Sequence, residues 1–595
     1  MVNNIYTIFD LTSIIIYDMP NKKNILYISN NSLGYNIHLN IKCKLISENN
    51  WNLKYKININ NLLINANQRI YNTNLNIKSL INIIFTDKKK EIKTINNNII
   101  FFKLINNKKL ATYFDNNCLC SNNKNCYLVQ NYNELILNLP NELNNLSYGI
   151  YPTNEVYNIS RLVYNRLINY FPQVIFYPEN YIDVSYLIKN IFKYNCKFTI
   201  RCGGHAYEPS SVSNGIIIDV SKLNNIDYNY DNNTIICQSG VKLGKLVDFM
   251  NENKIITPTG HNVCVGISGL SLAGGKGRLS RKYGLTCDNI ISCKMINYKG
   301  DLININENEN SDLLYGIRGA GTNNFGLILE LNIKGYNDIF FKEYNITWDW
   351  NSIKCLEILT FYIDVINNNN DINITYDFLM ITDKYSSNSS RFSVTITKYF
   401  DNNNIDNNFN EYKKFDILNP SDINYNEGFY SQNLSWVDYG NGRIPPFSKI
   451  KSTMLYKNLN KKYLNILVNS INEIIIDQNN NSIYQLNITE LGGKVSINKN
   501  INSCYFSRDA TSILSYFIQW DDNDKSDKNK TFINEIWNNF SKYSSYLCFP
   551  NLIDYDLQNY MYSYYGTLKN QNKLITLKKK YDPNNIFNWK QSIPI

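Results

Sequence analysis

Histidine is nearly absent from this chain of 595 residues, which has three. The one compact cysteine group, Cys118, Cys120 and Cys126, has the form C-x-C-x5-C with no histidine beside it. That fits no standard zinc spacing, so no metal site is expected. A local disulfide and free thiols are both compatible with it. The other cysteines, of thirteen in all, follow no regular framework, which points to reduced thiols in an intracellular setting. No run is long and apolar enough to span a bilayer. The first ten residues carry no basic region ahead of Ile14, Ile15 and Ile16, so a secretory signal is not expected. A Gly-x-Gly-x-x-Gly strand-to-helix signature is also missing, which disfavours a Rossmann site. The net charge of +10 is modest for the length, and the short lysine runs at 88–90 and 578–580 accompany no nucleic-acid reading module. They read as solvated surface, and neither a nucleic-acid nor a membrane partner is expected.

What is abundant is Asn, Ile, Lys and Tyr, with 47 tyrosines. These residues share AT-rich codons, so the bias reads first as a genome signature. It would suit a large DNA virus or a protist, and in the first case a virion location. The Asn runs are then weak evidence for disorder, and the Asn-x-Ser/Thr matches are mostly chance. The length suggests roughly four domain-sized units, and a hydrophobic content of 44% suits a globular protein.

Residues 1–110 form a β-rich extra domain by their alternation, as at 36–41 and 53–59. Residues 111–158 read as a linker with the cysteine cluster. From 159 to 334 short apolar strands alternate with helices: 173–177, 198–200, 215–219 and 234–237 as strands, 183–194 and 242–253 as helices. From 335 to 545 strands such as 392–397 mix with helices such as 463–476. That pattern suits an antiparallel sheet with helices on one face, an α+β unit. Residues 546–595 form a closing segment with motifs of its own.

The chemistry lies in two glycine-rich stretches. In the first, Arg201, Cys202, Gly203, Gly204, His205, Ala206 and Tyr207 follow an apolar strand. The second runs over 257–277 and holds Gly260, His261, Gly266, Gly269, Leu270, Gly274, Gly275 and Gly277. Glycines let backbone N–H groups approach a bound pyrophosphate that a Cβ would push away. Further on come Gly284, Leu285, Asp288 and Asn289, then Gly-Ala-Gly at 319–321, Leu-Gly-Gly-Lys ending at Lys494, Ser-Arg at Arg508, and a tail with Tyr565, Gly566 and Gln591.

This ordered set resembles the FAD-linked oxidases of the berberine bridge enzyme-like type, within the vanillyl-alcohol oxidase superfamily. The resemblance implies an α+β protein. A PCMH-type two-subdomain FAD-binding domain would hold FAD extended, an antiparallel-sheet substrate domain would cover the isoalloxazine, and the tail would return to the FAD domain. The glycine-rich residues named above would hold the cofactor. His205 matches the histidine that the family bonds to the flavin 8α-methyl carbon. The family's second anchor, a cysteine, stands here as Asn262, with Cys264 out of register, so the expected cofactor is FAD bonded through His205 only. His261 either touches the ring or is an ordinary loop histidine.

Catalysis in the family moves a hydride from a substrate carbon to the flavin while a base takes the hydroxyl proton. Dioxygen then reoxidises the flavin and yields hydrogen peroxide. The implied partners are a hydroxyl-bearing small molecule, a sugar or an alcohol, and dioxygen. The usual base is a tyrosine whose place here is taken by Phe549, two residues before Asn551. Tyr546, Tyr555 or a carboxylate would replace it, or alcohol oxidation is lost. Lys494, Arg508 and Asn551 are substrate-side candidates, with a structural ion pair the alternative for Lys494 and Arg508. A second function class is a flavin-bearing structural or surface protein, for example of a virion, since bound cofactor stabilises a fold without turnover. Assembly would then run through the N-terminal region.

Overall fold

The computed structural model describes residues 139–595, except 261, 383–389, 402–408, 433–445, 458, 460, 477–481, 500, 522–524 and 542–544. It also describes seven short strands between Ile15 and Phe114. Two units result, 1–137 with 440–444, and 138–439 with 445–595.

In the first unit the described strands form two antiparallel sheets. Strand Asn98–Ile105 lies between Lys108–Phe114 and Lys93–Ile95, and Ile15–Tyr17 pairs with the outer side of Lys108–Phe114. Lys44–Ser47, Asn50–Asn52 and Phe85–Thr86 make the other. The expected strands at 36–41 and 53–59, and Cys118, Cys120 and Cys126, lie outside the described residues.

The second unit opens with a four-stranded sheet. Strands Val174–Phe176, Ile216–Asp219 and Phe198–Arg201 run parallel, and Gly149–Ile150 joins antiparallel at the edge. The crossover is helix Tyr181–Lys193, capped by the Asn180 side chain on the Asp183 N–H. Its apolar stripe of Val184, Leu187, Ile188 and Ile191 is buried, as the helical spacing predicts. Leu139 and Leu143 are buried in the same core. This corrects the expected linker over 111–158: its last part supplies core residues and an edge strand, while residues 111–114 belong to strand Lys108–Phe114.

A five-stranded antiparallel sheet follows, in the order Ile226–Asn229, Thr234–Gln238, Leu327–Lys334, Ile290–Ile296, Leu302–Ile305. Helix Leu243–Asn253 and the short helix Ile267–Leu272 pack into its core. The third layer is a seven-stranded antiparallel sheet, in the order Asp422–Phe429, Phe340–Asp349, Arg391–Phe400, Ile374–Ile381, Ile483–Glu490, Ser512–Trp520, Phe447–Leu455.

Alternation divides that sheet cleanly. Phe378, Met380, Phe392, Val394, Leu486, Ile488, Tyr516 and Ile518 point into a core shared with helices Ser352–Asn368, Lys461–Ile476 and Ser526–Ser541. The opposite face packs on the half that carries the parallel and five-stranded sheets, through Phe341, Tyr399, Met454 and Ile513. In the tail, Leu574, Leu577 and Ile593 join the core of the five-stranded sheet, and Phe587 joins that of the parallel sheet.

Candidate active site

The two glycine-rich stretches meet. A methyl group at Gly203 would stand 2.5 Å from the Gly266 nitrogen and 2.7 Å from the Cys264 carbonyl oxygen. One at Gly266 would stand 2.1 Å from Cys202 Sγ. Only glycine permits this approach. Gly204, at φ +61°, turns the chain so that His205 follows the crossing. Arg201 anchors the turn from behind: its Nε donates to Asp219 at 2.5 Å and its Nη2 to the Ser160 carbonyl and the Tyr177 hydroxyl. It therefore braces the strand end. Burial pushes the Cys202 thiol up to about 12, which makes it an inert packing group.

His205 is held unlike a structural histidine. Its Nε2 is buried without a hydrogen-bond partner. Burial lowers its pKa to about 4, with Lys242 acting in the same direction, so the imidazole is neutral at physiological pH. Tyr164 stacks on it, with ring centroids 3.9 Å apart and planes 18° apart. Lys242 is exposed beside this junction and pairs in a bridge with Gly266.

The second stretch is clamped by the closing segment. Asn551 Oδ1 accepts from the Gly275 N–H at 2.8 Å, and its Nδ2 donates to the Leu270 carbonyl at 2.9 Å. Phe549 packs on Gly274 and meets Tyr505 edge-on. Gly274 and Gly275 take φ of +122° and +78° to fit beneath them. Gly277 lies against the Thr259 carbonyl, and Gly260 against Leu270. Gly269 alone faces open space, with no atom within 4 Å of where its Cβ would stand. An imidazole with an orphaned, buried Nε2, a crossing that excludes Cβ atoms and this open glycine fit a bound FAD: residues 202–207 and 262–270 would hold it and His205 would anchor it.

Several expected site residues turn out to be framework. Asn551, expected on the substrate side, spends both ends of its amide on the glycine loop. Arg508 makes a bidentate pair with Asp288, at 2.7 and 2.6 Å. Asp288 also accepts from the Leu285 N–H, and Gly284 provides the positive φ that this turn needs. Leu285 is in the core, and Asn289 donates to the Tyr283 and Leu285 carbonyls. Lys494 opens the short helix Lys494–Ile497, half-buried. Asn262 accepts from the Cys264 N–H, and Cys264 is half-buried. His261 lies outside the described residues.

Neither expected tyrosine replaces Phe549 convincingly. Tyr546 is 52% exposed in a left-handed turn. Tyr555 stacks on Trp589 beneath Lys590, and burial raises its phenol far above the usual range.

Sequence reading missed the residues that join this site to the seven-stranded sheet. From one short stretch Lys276 pairs with Asp377, Arg278 with Glu343, Arg281 with Glu490 and Lys282 with Asp401. Each carboxylate comes from a different strand or its end, so no local pattern announces the set. The face that Lys276 and Arg278 meet is polar over its middle. Successive rows across it carry Thr395, Asp377, Thr489 and Ile513, then Ser393, Leu379, Asn487 and Ser515, then Arg391, Ile381, Gln485 and Phe517. Asp377, Gln485, Asn487, Ser515 and Gln519 are all half-buried there.

Comparison with known proteins agrees with this geometry. The profile of a family described as FAD binding domain matches residues 172–306, and that of a family described as berberine and berberine like matches 548–594. An uncharacterised FAD-linked oxidoreductase of Bacillus subtilis, YgaK, is 25% identical over 451 residues, which is 74% of this chain and 94% of its own length. Berberine bridge enzyme-like 24 of Arabidopsis thaliana is 27% identical over 475 residues, 71% of this chain and 83% of its own. Among solved structures, a chitooligosaccharide oxidase shares the fold with a TM-score of 0.65 at 20% identity, over 78% of this chain and 99% of its own.

Proposed function

We propose that this chain, an FAD-linked oxidoreductase of the berberine bridge enzyme-like, PCMH-type family, is an oxidase for a hydroxyl-bearing small molecule, a sugar or an alcohol, with its flavin bonded to His205. Bound FAD would accept a hydride and return the electrons to dioxygen as hydrogen peroxide. The observation that carries the reading is the neutral imidazole of His205, its Nε2 buried and unpartnered, set where the two glycine stretches cross. A histidine kept only for structure would have its nitrogens satisfied.

The protein's own groups would bind and orient the substrate on the polar sheet face. Hydroxyls and carboxamides in rows suit a ligand with several hydroxyl groups, and a fold neighbour is by name an oxidase of a chitooligosaccharide. With phenylalanine at 549, a carboxylate is the proton acceptor. Asp377 is the candidate: it pairs with Lys276 at 3.2 Å, and its side chain is 28% exposed, against 12% for Glu343 on the same face. A proton acceptor must be reachable by the substrate.

The test is direct. Purified protein should be yellow, and the colour should stay with the polypeptide after acid precipitation. Peroxide release is then measured with a panel of sugars and alcohols. Replacing His205 by Ala should make the flavin extractable. Acid-stable flavin that no substrate bleaches would favour the second reading, a flavin-bearing structural or surface protein, for example of a virion. What speaks for that reading is Phe549 together with the placement of Tyr546 and Tyr555. In either case an intracellular location is proposed.

A further inference from the structure

We infer that Tyr164 is a positioning residue for flavin attachment, fixing the His205 imidazole in the plane from which it bonds the cofactor and tying that plane to the substrate-side sheet. The inference rests on the proposed covalent link through His205.

Tyr164 is bound to the attachment loop twice. Its N–H donates to the Gly204 carbonyl at 2.9 Å, and its ring lies face to face on His205. An imidazole at the end of a turn otherwise rotates about its side-chain bonds. A flat ring at stacking distance removes that freedom and keeps water from one face of the imidazole. The far end of the tyrosine is fixed as well, because Gln519 Nε2 donates to its hydroxyl at 2.8 Å. Gln519 belongs to strand Ser512–Trp520, on the face turned toward the FAD-binding half.

Neighbouring contacts repeat the connection. Asn165 Nδ2 donates to the Tyr207 carbonyl at 2.7 Å and to the Ser448 carbonyl at 2.9 Å, while its Oδ1 accepts from the Ser448 N–H. Tyr207 meets Tyr164 edge-on at 5.8 Å and Phe517 at 5.4 Å. Glu208 accepts from Lys449 on the sheet's edge strand at 2.5 Å. The attachment loop is thus gripped by two adjacent strands of the sheet, and Tyr164 is the contact that reaches the histidine ring itself.

Attachment exchanges one C–H bond of the flavin 8α-methyl group for a bond to an imidazole nitrogen. The two hydrogens lost, one from the methyl group and one from the imidazole N–H, leave as protons. Two electrons pass into the isoalloxazine and on to dioxygen, which takes up both protons as hydrogen peroxide. Such a step depends on the nitrogen and carbon being held at near-attack distance, so loss of orientation slows it steeply.

Three variants test the inference: Tyr164→Phe, Tyr164→Leu and Gln519→Leu. Two quantities are read on each purified protein, total bound flavin in the native state and flavin that survives acid precipitation. Tyr164→Phe keeps the flat ring and should keep most of the acid-stable flavin. Tyr164→Leu fills much of the space without a ring, so total flavin should stay near the parent level while the acid-stable share falls at least fivefold. Gln519→Leu should fall between them and serves if Tyr164→Leu does not fold. A parental acid-stable share in Tyr164→Leu overturns the inference. So does a fall in acid-stable flavin matched by an equal fall in total flavin, since that is loss of structure rather than of orientation. A parent protein without acid-stable flavin, or a His205→Ala variant that keeps it, would instead defeat the proposed function itself.

Discussion

Gly203 and Gly266 touch backbone to backbone, and each occupies the space in which the other's Cβ would stand. The approach ties the loop that ends in His205 to the loop that opens helix Ile267–Leu272. Gly266→Ala should therefore be disruptive out of proportion to one methyl group, because its nearest neighbour would be Cys202 Sγ at 2.1 Å, with the Gly203 nitrogen at 2.8 Å. Overpacking of this kind costs about 1–3 kcal/mol. The expected outcome is a lower melting temperature and flavin content well below parental. Gly269→Ala, whose Cβ meets no protein atom, should fold normally and lose flavin only, which separates loop packing from cofactor contact.

The Arg508–Asp288 pair joins the two halves of the unit through a bidentate contact in which both side chains are nearly inaccessible. Removing one partner strands the other charge in the interior, at about 3–5 kcal/mol. Arg508→Leu should be strongly destabilised in chemical denaturation. Adding Asp288→Asn removes the stranded charge and should recover part of the loss. Equal stability of the single and double variants would argue against a coupled pair.

Asp377 offers the accessible carboxylate on the polar sheet face, next to Lys276 of the second glycine stretch. Asp377→Asn keeps the shape and the acceptor oxygen but cannot take a proton. General-base loss typically lowers turnover about 10²- to 10⁴-fold. The expected result is such a fall in the rate of flavin bleaching by substrate, with flavin content and acid-stable share unchanged. Parental turnover in Asp377→Asn would rule this carboxylate out as the proton acceptor.

What could be read from the chain before its structure follows from where the information lies. The glycine loops, His205 and the helix Tyr181–Lys193 depend on neighbours in sequence, through backbone conformation or a 3.6-residue period, and the sequence spelled them out. Tyr164 acquires its role only when folding brings it onto His205. Lys578, read with its neighbours as solvated surface, is buried and paired with Asp582, and Lys276, Arg278, Arg281 and Lys282 each meet a carboxylate far along the chain. Asn551, a polar residue in a closing motif, reads as a substrate contact, and the structure adds what the motif does not show, an amide bonded at both ends to loop backbone. Leu139 and Leu143 were hidden by the Asn-rich composition around them.

The lowered pKa of His205 gives a pH dependence with a definite sign. Burial holds the folded-state value at about 4 against 6.5 for an open imidazole, and the charge of Lys242 adds to the same effect. Between those values the unfolded chain binds more protons than the folded one, so folding stability rises with pH across the window and is lost as pH falls from 6.5 toward 4. The full shift would amount to about 3 kcal/mol. In protein not yet joined to flavin, denaturation midpoints measured from pH 7 down to 4.5 should fall more steeply than in His205→Gln, whose side chain does not titrate. The same neutrality has a chemical consequence: the imidazole keeps its lone pair at pH 5.5, so acid-stable flavin should form at that pH at a rate near that at pH 7. A rate that instead dropped about tenfold between pH 7 and 5.5, as an unshifted imidazole with a pKa of about 6.5 requires, would show that the ring is open to water before the cofactor arrives.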